Sequence, residues 1–264
     1  MNRFWASVVL VLAVATGGAS LLLFGVFLVG RAPGFVRLGL ADPAALGWDA
    51  GLSFLFFVQH SGMIRRTFRI RLESIAPSSF APAVYSIASG LALGAVVLLW
   101  QTTAAPLVAL PGPWRLLPRV TAGLALVVFA WAIRSLRVFD PFGRRELLAH
   151  LRGRLLPRLP LAVRGPYRWV RHPLYSCMLV LIWSIPEITP DRLLFGVLWT
   201  AWIVLGAKWE ERDLIAEFGD SYRRYQRTVP MLIPSRRPTG RPPTSEDSSP
   251  PAPTPESRHP TGSL

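Results

Sequence analysis

The feature that most constrains this chain is its first apolar run. From Trp5 to Val29 no charged residue occurs, and the run exceeds the ~20 residues with which a helix crosses a hydrocarbon layer. Such a stretch predicts a membrane helix. Pro82–Trp100 has a similar length, and Val120–Val138 carries arginine only near its end. Leu46–Ile64 is weaker, because Asp49, Gln59 and His60 interrupt it, and two shorter runs follow at Leu174–Pro186 and Leu193–Trp209. The expectation is an all-α, polytopic integral membrane protein with about six membrane helices. Charged residues make up only 17% of the chain, against roughly 25% in soluble domains, which agrees.

The start "MNRFWASVVLVLAVATGGAS" has the layout of a secretory signal, with Arg3 before an apolar core and small residues after it. The apolar run then continues through "LLLFGVFLVG", so a retained first helix is the better reading. The single cysteine, Cys177, excludes an internal disulfide and any multi-cysteine metal site. No metal site is expected.

Net charge is +14, and Lys208 is the one lysine among 29 basic residues. Arg65, Arg66, Arg69 and Arg71 follow the second run, and ten arginines lie from Arg134 to Arg171 against only Asp140 and Glu146. Basic loops stay in the cytoplasm, which places these two loops and both termini on the inner side of the cell membrane. Charges that flank membrane spans are explained by topology and anionic lipid headgroups, so nucleic acid is not an expected partner. After Pro234 the chain turns proline-rich and nearly free of large apolar side chains. Residues 235–264 therefore read as a disordered cytoplasmic tail, and 1–234 as the membrane domain.

Leu174–Pro186 is too short to span as a helix, and Leu193–Trp209 barely spans. Between them, Thr189 and Pro190 suit the cap and first position of a helix. A tight, short helical hairpin is predicted. Beyond it, "KWEERDLIAEFGDSYRRYQRT" continues as a cytoplasmic amphipathic helix with a break at Gly219. At helical spacing Glu211 shares a stripe with Ile215, Phe218 and Tyr222, whereas Glu210 shares one with Asp213 and Glu217. Glu211 should face packing and Glu210 water. A carboxylate on an apolar stripe beside a membrane needs a partner; Lys208, Arg212 and Arg171 are candidates for a structural pair.

The same topology brings the polar residues within these runs to one face: Gln59, His60 and Ser61, then Asp140, then Arg171–His172–Pro173–Leu174–Tyr175, then Glu210–Glu211. Each alone is as readily an interfacial anchor. Four groups from separate helices at one depth point to a pocket suited to a zwitterion.

"GPYRWVRHPLY", followed about thirty-five residues later by "EERDLIAEFGDSYRRYQRTVPMLIP", resembles the isoprenylcysteine carboxyl methyltransferase and phospholipid methyltransferase superfamily of membrane enzymes. "LGWDAGLSFLFFVQHSGMIRR", "FDPFGRRE" and "VPMLIP" are closest to its bacterial methanethiol S-methyltransferase branch. The likeness covers about 46–234, with the cofactor part at 164–234. It implies S-adenosylmethionine as cofactor, held by His172, Pro173 and Tyr175 with Glu210 and Glu211. The side-chain types suit that cofactor: aromatic faces or carboxylates for its cations, arginine or histidine for its carboxylate, glutamate for its ribose. No Gly-rich strand–turn–helix is present, since Gly17–Gly18 sits inside an apolar run.

On this reading a small thiol such as methanethiol is methylated, with His60 and Arg171 as catalytic groups and Gln59 and Asp140 beside the acceptor. A lipidic acceptor, isoprenoid or phospholipid, is the alternative. A further one is a non-enzymatic haem-linked protein of nitrite or nitric oxide respiration, ligated through His60, His150 or His172.

Overall fold

The structure, a computed structural model, describes residues 3–30, 34–74, 77–103, 105–136, 138–154, 156–157 and 159–235. The expected disordered tail lies outside them, apart from Ser235. Helix dominates: α1 (Arg3–Val29), α2 (Asp42–Ile64), α3 (Arg66–Glu73), α4 (Ala81–Leu99), α5 (Leu116–Ser135), α6 (Arg144–Leu151), α7 (Pro173–Trp183), α8 (Pro190–Phe218) and α9 (Asp220–Thr228). Four helical stretches among the described residues are long and apolar enough to cross a membrane: Phe4–Val29, Ser78–Leu99, Gly112–Ser135 and Pro190–Phe218. Of the six expected segments, α7 is an apolar helix of only 11 residues. Helix α2 has sufficient length but includes Asp49, Gln59 and His60. Chemistry rather than length sets it apart: α2 is packed between α4 and α8, so its polar groups meet protein instead of lipid.

Helix α1 lies along α4, and α5 lies along α7. The first pair crosses closely because both sides are glycine: a Cβ on Gly90 would stand 2.9 Å from the Gly17 nitrogen and the Thr16 carbonyl. The shared core is aromatic, with Phe24, Phe27, Phe56, Trp100, Phe195 and Trp199 interlocked. Each such ring removes 150–250 Å² from solvent, and here they bind four helices into one unit.

Each end of the bundle is closed by polar contacts. At one end Asp49 is fully buried and accepts from the Gln101 amide (2.9 Å). Asp191 accepts from Thr103 Oγ1 (2.7 Å) and Trp100 Nε1 (3.1 Å), and Arg192 donates to the Gly30 carbonyl (2.7 Å). The α7–α8 connection is not a bare turn. Glu187–Ile188 (β2) pairs antiparallel with Val108–Ala109 (β1), and Arg115 pairs with Glu187. Thr189 does precede Pro190 at the start of α8, though its side chain makes no capping bond. The other end receives the last residues of α2, α5 and α8 and the first of α4 and α7, and there the polar residues singled out in the sequence collect.

Candidate active site

The motif "RGPYRWVRHPLY" begins with a glycine that sterics demand. Gly165 has φ +53, and a Cβ there would strike Ser135 of α5. Only glycine takes this conformation at no cost, so residues 165–168 form a 3₁₀ turn pressed against α5. The Tyr225 hydroxyl of α9 donates to the Tyr167 carbonyl and fastens the turn to the C-terminal part of the chain.

Two distant segments meet next. The Arg171 amide donates to the Pro230 carbonyl (2.9 Å), the His172 amide to the Met231 carbonyl (3.1 Å), and Ser176 Oγ to the Leu232 carbonyl (2.6 Å). The "VPMLIP" segment therefore lies across the start of α7 and supplies partners to its exposed amides.

Glu211 is the hub. Its Oε1 accepts from Arg171 Nε at 2.6 Å and lies 3.3 Å from His172 Nε2, while Oε2 accepts from Gln226 Nε2 at 2.9 Å. Arg171 also donates to the carbonyls of Gln226 (3.0 Å) and Val229. As the stripe predicted, Glu211 is buried and Glu210 exposed. The buried carboxylate is engaged by protein partners, Arg171 among them as one of the candidates for a structural pair, whereas the Glu210 carboxylate lines both cavities described below. Its Oε2 accepts from the Tyr175 hydroxyl at 2.7 Å and stands 3.9 Å from His172 Nδ1. The Tyr175 ring stacks parallel to His172, centroids 5.5 Å apart.

Two cavities meet here. The smaller, about 390 Å³, is lined by Arg171, His172, Pro173 and four tyrosines, 167, 175, 222 and 225, with apolar walls from Leu136 and Leu161. Burial pushes the Tyr167 phenol up to about 12, and raises those of Tyr222 and Tyr225 too, so all three stay neutral. The Tyr222 ring lines the cavity, while its hydroxyl is buried beside Arg171. The larger cavity, about 520 Å³, runs between α2 and α8 and includes His60, Ser61, Trp202 and Trp209. Tyr175 and Glu210 line both.

His60 is therefore at the larger cavity. The Tyr85 hydroxyl of α4 lies 3.0 Å from its Nδ1 and 2.8 Å from its Nε2, and Phe56 and Trp202 pack on the ring. Gln59 turns to α4, donating to Ser89 Oγ (3.3 Å). Asp140 accepts from the amides of Arg144 (3.0 Å) and Arg145 (2.6 Å), opening α6. Next to it Gly143, at φ +69, abuts Pro82 and Ala83. "FDPFG" thus joins α6 to α4, and neither cavity has Asp140 among its lining residues. The histidines named as haem candidates do not converge: His150 packs against Phe80, away from the Tyr85 and Glu211 partners of the other two. Tyr85 and Trp202 were not anticipated, and Tyr222 only as part of the stripe that carries Glu211. The one available signal was a lone tyrosine hydroxyl in the apolar α4, facing a histidine in α2.

Apolar helices long enough to span, with two cavities meeting at one end, define a polytopic helical membrane protein. No family model and no solved structure matches the chain. Named relatives do: methanethiol S-methyltransferase of a Pseudomonas species is 37% identical over 210 residues, covering 76% of this chain and 78% of the relative. The proteins of that name from Pseudomonas deceptionensis and Mycobacterium tuberculosis are 34% and 33% identical, over 79% and 68% of this chain and 79% and 74% of their own lengths. The chain belongs to the methanethiol S-methyltransferase family. Mouse nurim is similar at 29% identity over 186 residues, 65% of this chain and 68% of nurim.

Proposed function

We propose that this protein is an S-adenosylmethionine-dependent methyltransferase that converts methanethiol to dimethyl sulfide at the cytoplasmic face of the cell membrane. The observation that carries the reading is the meeting of two cavities at Tyr175 and Glu210, one lined by tyrosines and apolar side chains beside the Arg171–Glu211 pair, the other running past a histidine between α2 and α8. The names of the relatives supply the reaction.

The smaller cavity fits the cofactor. Glu210 and the aromatic faces of Tyr175 and Tyr167 suit an ammonium and a sulfonium, and Leu136 and Leu161 suit a base. Once bound, the cofactor supplies an electrophilic methyl group. The protein's part is alignment and exclusion of water, which govern an in-line displacement. Arg171 and Glu211 hold each other and the start of α7 in place, so we assign Arg171 to positioning the site. His60 takes the thiol proton, because the thiolate is the nucleophile, and Tyr85 orients its ring. Gln59 steadies α2 against α4 behind His60. The arginines that follow α2 and α5 support a cytoplasmic placement of this end.

Membranes containing the protein, given methyl-labelled S-adenosylmethionine and methanethiol, are expected to release labelled dimethyl sulfide. If the label stayed in the donor with the folded protein present, the reading would be wrong.

A further inference from the structure

The larger cavity is out of proportion to a one-carbon thiol. Its α8 wall runs from Trp202 to Asp213, and at 1.5 Å per residue that is about 16 Å of helix. A volume near 520 Å³ falls within the range of roughly 300–1,000 Å³ typical of sites for drug-sized ligands. At the His60 end the wall is apolar and aromatic, with Trp202 and Ile203; at the other end Arg65, Glu210, Arg212 and Asp213 line an exposed mouth. Gly206 lines it midway, and a Cβ added there would meet nothing within 4 Å. Trp202 is fixed by its Nε1 donating to Ser61 Oγ at 3.2 Å, and Trp209 by the Arg65 guanidinium 5.0 Å from its ring. A rigid aromatic slot of this length holds a hydrocarbon chain rather than a single methyl group.

We infer a further activity: S-methylation of larger apolar thiols, alkanethiols of several carbons and arenethiols, with the hydrocarbon lying along Trp202, Ile203 and Gly206. The inference rests on the methyltransferase reading. The thiol loses its proton to His60 and thence to water. Its sulfur forms a bond to the methyl carbon, and the methyl–sulfonium bond breaks with its electron pair going to the departing sulfur. The products are a methyl thioether and S-adenosylhomocysteine. Each buried methylene strengthens binding about fourfold, so chain length should show first in KM.

The experiment uses the full chain in lipid nanodiscs with labelled S-adenosylmethionine and either methanethiol or 1-hexanethiol. Expected is hexyl methyl sulfide formation, with a KM at least about tenfold below that of methanethiol. Saturable binding of labelled hexyl methyl sulfide without donor provides a readout independent of turnover. Gly206→Leu, which fills the slot, should weaken that binding and lower the hexanethiol-to-methanethiol rate ratio about tenfold or more. Methylation of methanethiol alone overturns this inference and leaves the methyltransferase reading standing. Methylation of neither overturns both. A rate ratio unchanged by Gly206→Leu, with the variant folded, overturns the placement of the chain.

Discussion

Arg171 and Glu211, 40 residues apart in the chain, are joined at 2.6 Å with only 9% and 11% of their side chains exposed. The pair unites the motif before α7 with the end of α8, and it separates two neighbouring glutamates by role. Breaking a buried pair on one side leaves an uncompensated charge, at a cost of about 3–5 kcal/mol. Glu211→Gln is therefore expected to lower the thermal unfolding temperature in detergent markedly. Glu210→Gln, at the exposed carboxylate, should leave that temperature nearly unchanged and weaken S-adenosylmethionine binding about tenfold or more in calorimetry. Equal effects of the two variants on stability would contradict this division.

Tyr175 stands between the cavities through its hydrogen bond to Glu210. A bond to a charged group is worth roughly 1.5–3 kcal/mol. Tyr175→Phe should lower kcat/KM for methanethiol about tenfold while its folded fraction, read by size-exclusion chromatography, stays that of the wild type. No loss of kcat/KM would remove Tyr175 from the junction.

The pH profile tests His60. Without a proton acceptor, reaction depends on thiolate already present in solution, which rises about tenfold per pH unit below the thiol pKa. His60→Ala should reduce turnover near neutrality by about a hundredfold or more and regain part of it as pH rises. Tyr85→Phe should give a smaller loss. A His60→Ala profile parallel to that of the wild type would show that the ring only packs.

Gly165 combines a left-handed conformation with contact to Ser135. Gly165→Ala should cost about 1–2 kcal/mol for the conformation alone, with the clash added. Adding Ser135→Ala removes the Oγ contact but not the backbone strain, so chemical denaturation should show partial recovery. Full recovery in the double variant would mean that φ contributes nothing.

How much of this was readable from the chain depended on which physics set each feature. Spanning helices were legible because lipid imposes one requirement, apolarity over sufficient length, and α1 and α4 meet it. The burial of Glu211 was legible from helical spacing, since period alone decides the face. Its engagement by Gln226 was not, because that partner arrives from α9 after the break at Gly219. Asp140 was legible as polar and interfacial, but its capture by the α6 amides is a turn geometry that residue types do not reveal. The pairing of Glu187–Ile188 with Val108–Ala109 spans only two residues per strand, too few to leave a periodic pattern. The contact of Tyr85 with His60 depends on how α2 and α4 are rotated against each other, which is a property of packing.

The strap of residues 230–232 across the start of α7 has a bearing on biogenesis. Backbone partners for Arg171 and His172 are encoded almost sixty residues downstream, after the last spanning helix among the described residues. A nascent chain already threaded into the bilayer would thus carry an unfinished site until synthesis passes Leu232. Delivery of this strap, rather than insertion of the helices, would be the step that finishes the site.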